Sequence, residues 1–203
     1  MSIRCPWVLA VLMMSTFLLA ACASIPTTRT DVIGTWKADN YNGKFSNLLI
    51  ISQSAERSIR EKAESIMVKS LEKQGLNAVA SSDIMPADKE INRKTVMAAM
   101  AGKGFDGVLV SILLDVDRII IEIPPSHGTT IDNSLGGVAS IVFSPGYVKH
   151  HSVISLQTHL YDTASKRLVW SLKSQTSNFS TVSDIEQSVS QAVINNLRAM
   201  GLI

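Results

Sequence analysis

"FSNLLIISQSAERSIREKAESIMVKSLEKQGLNAVAS", Phe45–Ser81, is the stretch that decides the fold. Its first part, Phe45–Ser54, holds an uninterrupted apolar core at Leu48–Ile51 bounded by polar residues. That is the pattern of a strand buried on both faces. From Ala55 to Gln74 the period changes. Ile59, Ala63, Ile66, Met67 and Leu71 recur at offsets of 4, 7, 8 and 12, one stripe of an amphipathic helix. Gly75 is placed to end that helix, and Leu76–Ser81 supplies a short second strand. A β-α-β unit of this kind implies some parallel pairing, because parallel strands need a crossover.

Working toward the C-terminus, a second helix is expected from about Asp88 to Ala101, with Ile91, Val96, Met97 and Met100 facing inward and Gly102 past its end. Phe105–Ile123 is extended and rich in Val, Ile and Leu. It is long for one strand, so a bend or tight turn near Asp115–Arg118 is expected to make it two. Ser152–Tyr161 and Arg167–Thr176 form a hairpin with its turn at Asp162–Ser165. Ile154, Leu156 and Leu160 share one face of its first strand, and Leu168, Trp170 and Leu172 one face of its second. Thr181–Met200 is a helix with Ser183-x-x-Glu186 as capping box, a stripe of Ile185, Val189, Ala192, Val193, Leu197 and Met200, and Gly201 beyond. The order β-α-β-α-β(β)-β-β-α predicts an α/β (α+β) fold: a mixed sheet of five or six strands covered by three helices.

The chain has 203 residues, of which 46% are hydrophobic and 18% charged, enough for one packed domain plus a leader or tail. A formal net charge of +2 and the lack of a Lys/Arg cluster argue against nucleic acid as a partner. Only the first 21 residues carry a long apolar stretch. There Arg4 precedes the run Trp7–Leu19, and Ala20 and Ala21 follow, the three parts of a secretory signal. Residues 1–21 therefore read as a signal peptide. Cys22 then has five possible roles: half of a disulfide, nucleophile, metal ligand, buried small hydrophobe or point of attachment.

Leu19-Ala20-Ala21-Cys22 resembles the lipobox of bacterial lipoproteins. The resemblance implies cleavage between Ala21 and Cys22, a thioether from Cys22 to diacylglycerol, and acylation of the new amino group with a fatty acid such as palmitate. Two or three acyl chains hold a protein stably on a membrane. Ala23, where related lipoproteins kept at the inner membrane carry Asp, implies the outer membrane, with the domain facing the periplasm. Residues 22–35 read as the lipidated Cys and tether. Within them Ala23–Gly34 shows neither period and spans at most about 40 Å. Residues 36–203 read as one periplasmic α/β domain. Their element order, with segments such as "LEKQGLNAV", "GFDGVLV" and "LYDTASKRLVW", resembles the curli secretion lipoprotein, the N-terminal domain of the Tol-system β-propeller protein and the lipoprotein activators of penicillin-binding proteins.

Catalytic signals are missing. "GKGFDG" (Gly102–Gly107) follows a helix and precedes a strand, whereas a phosphate loop runs strand, glycine loop, helix. The histidines, His127, His150, His151 and His159, show no ligand spacing. Asp115 and Asp117 share a strand face but read as a turn or exposed strand end. No catalytic residue, metal site or cofactor is assigned, and the chain is not expected to be an enzyme; a metal-dependent enzyme using the histidines is the least favoured reading. Pro124–His151 shows no clear secondary structure and reads as a long loop. Its middle, Ser134–Tyr147, is apolar, glycine-rich and uncharged. Val138, Ile141, Val142, Phe143 and Tyr147 are its candidate interaction residues, for an envelope protein, the membrane or a second subunit. The expected function is a non-catalytic binding or envelope-assembly component; the alternative is a subunit of an oligomeric secretion or envelope complex that uses loop 124–151.

Overall fold

The computed structural model describes residues 27–86, 90–132, 138–144 and 147–203, and their side chains outside 118–123, 126–132, 138–144 and 147–151. The strands are β1 (Arg29–Lys37), β2 (Asn47–Gln53), β3 (Asn77–Ala80), β4 (Gly107–Ile123), β5 (Ser126–Asp132), β6 (Val138–Ser144), β7 (Tyr147–Asp162) and β8 (Arg167–Ser177). The helices are α1 (Arg57–Glu72), α2 (Ser81–Ile84), α3 (Arg93–Met100) and α4 (Val182–Ala199). Six strands form one mixed sheet in the order β1-β8-β7-β4-β2-β3, and β5 and β6 pair separately. β2 runs parallel to both β3 and β4, while β4, β7, β8 and β1 pair antiparallel. The predicted α/β class holds. Among the described residues the helices number four rather than three, because Ser81–Ile84 closes one helical turn directly after β3.

β2 explains why its apolar core is continuous. Leu48 and Ile50 enter one cluster with Met67, Leu71, Leu109, Trp170, Val193 and Leu197. Leu49 and Ile51 enter the other with Met100, Phe105 and Val108. α1 and α4 pack on each other and cover the first face. Trp170 is fully buried there, and its Nε1–H donates to Asn196 Oδ1 at 2.9 Å, which satisfies the one polar atom of the largest core side chain.

Both long helices end as their glycines require. Gly75 and Gly201 sit at φ 83° and 68°, where an L side chain is strained. Leu76 N–H and Leu202 N–H reach back to the Leu71 and Leu197 carbonyls at 3.3 and 2.9 Å. The start of α4 departs from the sequence reading. Thr181 Oγ1 accepts from Asp184 N–H, and the Asp184 carboxylate accepts from Thr181 N–H, so the box is two residues earlier than Ser183/Glu186. α3 starts at Asn92, not near Asp88, with Asn92 and Thr95 capping each other; Asp88 lies outside the described residues.

Three further expectations are corrected. The tether reading of residues 22–35 fails from Arg29 on: Arg29–Lys37 is an edge strand paired with β8 from Arg29↔Ser177 to Lys37↔Trp170. Its polar Thr, Asp and Gly positions suit a strand with an open edge. Phe105–Ile123 does not split at Asp115–Arg118. It is one 17-residue strand from Gly107, and a bulge between Leu113 and Asp115 absorbs the extra residue. The loop 124–151 is not structureless: β5 and β6 form a hairpin, Ser126↔Ser144 through Asp132↔Val138. β-Branched Thr129, Thr130, Ile131, Val138, Ile141 and Val142 favour that pairing. Pro124 and Pro125 carry no N–H, so the β4 ladder stops there.

Candidate functional site

The long strands create a feature that periodicity alone does not show. β2 pairs with β4 only as far as Gln53↔Ile112, and β8 pairs with β7 only from Val153↔Ser177 onward. Beyond that, Arg118–Ile123 and Tyr147–Ser152 pair with each other alone among the described residues. A two-stranded ribbon therefore projects past the sheet, and the β5–β6 hairpin lies between its two strands in the chain. Two strands alone are marginal in water. At the ribbon's base Leu113, Leu114 and Val116 are 49%, 44% and 46% exposed.

The candidate interaction residues fall on this arm. Val138, Ile141, Val142 and Phe143 lie in β6, opposite Asp132, Thr129, Gly128 and His127. Tyr147 is separate, at the start of β7 opposite Ile123. Ala21 and Cys22 lie outside the described residues.

The histidines lie on two strands. His127 sits in β5, and His150 and His151 are adjacent in the ribbon opposite Ile120 and Ile119. His159 is in the sheet opposite Val110 and Ser171. Burial lowers its pKa, its Nδ1 is buried without a hydrogen-bond partner among the described residues, and its ring meets Tyr161 edge-on at 6.1 Å. Among the described residues no three His, Cys, Asp or Glu groups are placed to hold a metal ion. Asp115 and Asp117 are exposed, and Asp115 Oδ1 accepts from the neighbouring Val116 N–H at 2.8 Å.

Three carboxylates escape the sequence reading. Glu64, fully buried on α1, accepts from Ser52 N–H at 3.1 Å, Ser81 Oγ–H at 2.6 Å and Ser82 N–H at 2.9 Å. It joins the ends of β2 and β3 to α1. Asp106 clamps the start of β2, accepting from Ser46 N–H at 2.7 Å and Asn47 N–H at 3.1 Å. Asp162 opens the β7–β8 turn and accepts from Ser165 N–H, Ser165 Oγ–H and Tyr41 O–H. Burial works to raise the Asp162 carboxyl, but these hydrogen bonds outweigh it and hold the pKa below the usual range. Burial, and then the Asp162 charge, push Tyr41 up to about 12. "GKGFDG" serves the backbone: Gly102 and Gly104 have φ of 73° and 70°. A Cβ on Gly107 would lie 2.6 Å from the Phe45 ring.

The second surface feature is a groove of about 330 Å³ between α3 and the sheet. α3 buries only Met100 completely. Its Val96 and Met97, with Val108, Val110 and Ile112 of β4, make the groove apolar, while Gln53, Arg93, Asp162 and Lys166 supply polar groups. No helix among the described residues is long and apolar enough to cross a membrane.

No protein-family model and no curated protein matches the chain. Among solved structures, a PelC dodecamer from Paraburkholderia phytofirmans is similar at 16% identity and TM-score 0.45, over 84% of this chain and 96% of that one. Lipoprotein GNA1162 from Neisseria meningitidis is similar at 14% identity and TM-score 0.41, over 76% of this chain and 99% of that one.

Proposed function

We propose that the chain is a lipid-anchored protein of the bacterial outer membrane that faces the periplasm and works by assembly rather than catalysis. The ribbon carries the assembly half of this reading. It outruns its neighbours in the sheet, has exposed Leu113, Leu114 and Val116 at its base, and continues into an uncharged β6. A projecting pair of strands with apolar residues is a surface for a partner or a second copy. The signal-like leader and Leu19-Ala20-Ala21-Cys22 support the anchor.

Three measurements on the full chain test it. Cys22→Ser should abolish incorporation of labelled palmitate; retained label would sink the anchor. Light scattering of the detergent-solubilised chain should give a mass above the monomer, or in-cell crosslinking from position 143 should trap one defined envelope protein. Joining Ile123 to Tyr147, which already face each other, through Asn-Gly should remove either species while leaving the helical circular-dichroism signal in place. A monomer with no crosslinked partner in both forms would end the assembly reading.

A further inference from the structure

We propose that the groove between α3 and the sheet binds the chain of a fatty acid, with its carboxylate at Arg93. The inference is independent of the ribbon and of the lipid anchor.

Protein interiors pack as densely as organic crystals, yet α3 buries only Met100 and packs Val96 only partly against the sheet. A helix of eight residues is well below the length that holds in water alone. The space beneath it, about 330 Å³, lies at the small end of ligand pockets, roughly 300–1,000 Å³. Its shape follows the strand. Gly107 of β4 faces Asp162 at one end, and Ile112 faces Gln53 at the other. From Val108 to Ile112 the floor is about 13 Å long, and the small volume suits one unbranched chain rather than a partner helix. Val108, Val110 and Ile112 form the floor, and Val96, Met97 and Met100 the wall. Methionines adapt to a flexible chain.

Charge assigns the headgroup. Arg93 and Lys166 are the cations of the lining, and among the described residues neither is in an ion pair. Lys166 shares its end with the Asp162 carboxylate. Arg93 opens α3 directly after its cap Asn92, and Asp162 is the carboxylate among the lining residues. A guanidinium at a helix N-terminus favours an anion on both counts.

The test is photocrosslinking with diazirine-bearing laurate on the full chain in nanodiscs, followed by mass mapping. Adducts are expected within residues 96–112, competed by excess laurate and not by dodecyltrimethylammonium. Met97→Glu, at a position 42% exposed, and Arg93→Glu should each cut labelling at least tenfold without loss of helical signal. Lys166→Asn, which keeps a residue tolerant of the local φ of 56°, should leave labelling within about twofold. Adducts spread over the surface, or unaffected by Met97→Glu, overturn the site. Equal competition by the cationic amphiphile, or full labelling of Arg93→Glu, overturns the headgroup assignment.

Discussion

Glu64 is where a single side chain matters most to the fold. Three donors converge on a carboxylate that water does not reach. Glu64→Ala leaves Ser52 N–H, Ser81 Oγ–H and Ser82 N–H unpaired and is expected to cost about 2–4 kcal/mol. Glu64→Gln, which keeps one acceptor oxygen, should cost less. Urea unfolding reads both, and an Ala variant as stable as the parent would show that the clamp is replaceable. Nothing in the sequence announces this role, because a Glu inside an amphipathic stripe looks like a solvated neighbour of Ala63 and Met67. Glu186 gives a pH signature instead. Burial pushes its pKa up to about 7 from the ordinary carboxylate value of 4.5. The native state therefore holds a proton that the unfolded chain releases between those values, and stability falls as pH rises through that window. Glu186→Gln should flatten that slope and raise stability at pH 8 by about 1–2 kcal/mol, allowing for partial exposure. If the slope between pH 5 and 7 is the same in both proteins, Glu186 is not its source.

At the level of elements, the cap of α4 separates two readings of the same few residues. Thr181→Ala should lower stability by about 1 kcal/mol, while Ser183→Ala should cost less than about 0.5 kcal/mol. The reverse order in thermal unfolding would restore Ser183/Glu186 as the box. β2, α1, the β7–β8 hairpin and α4 were legible because each repeats its burial period over a full element. β1 was not, since its Thr, Asp and Gly give no period and only its partner β8 makes it a strand. The β5–β6 hairpin was hidden by glycine and proline punctuation, which signals loops over short windows. The groove was half legible: Val96, Met97 and Met100 were read as inward-facing, but only the lateral placement of α3 leaves space beneath Met97.

For the whole molecule, neighbours in the sheet are distant in the chain: β1 lies beside β8, and β4 between β7 and β2. No local pattern encodes that order, although the mixed parallel and antiparallel character followed from the crossovers and the hairpin. The position of β1 has a geometric outcome for a chain fixed at Cys22. Arg29 faces Ser177, Ser177 faces Val153, and Val153 faces Asp117, so the chain enters the domain level with the ribbon's root. Seven residues from Cys22 to Arg29 give a leash of at most about 25 Å. The ribbon from Asp117 to Ile123 extends about 20 Å. A lipid-bound molecule is thus held with the β7–β8 turn outward, and a photo-reactive residue at 143 should label phospholipid while one at Ala164 should not; equal labelling would mean free tumbling on the leash. For a chain anchored in this way, leash and ribbon are nearly equal in length, so the arm would lie at the bilayer surface itself, where diffusion is confined to two dimensions.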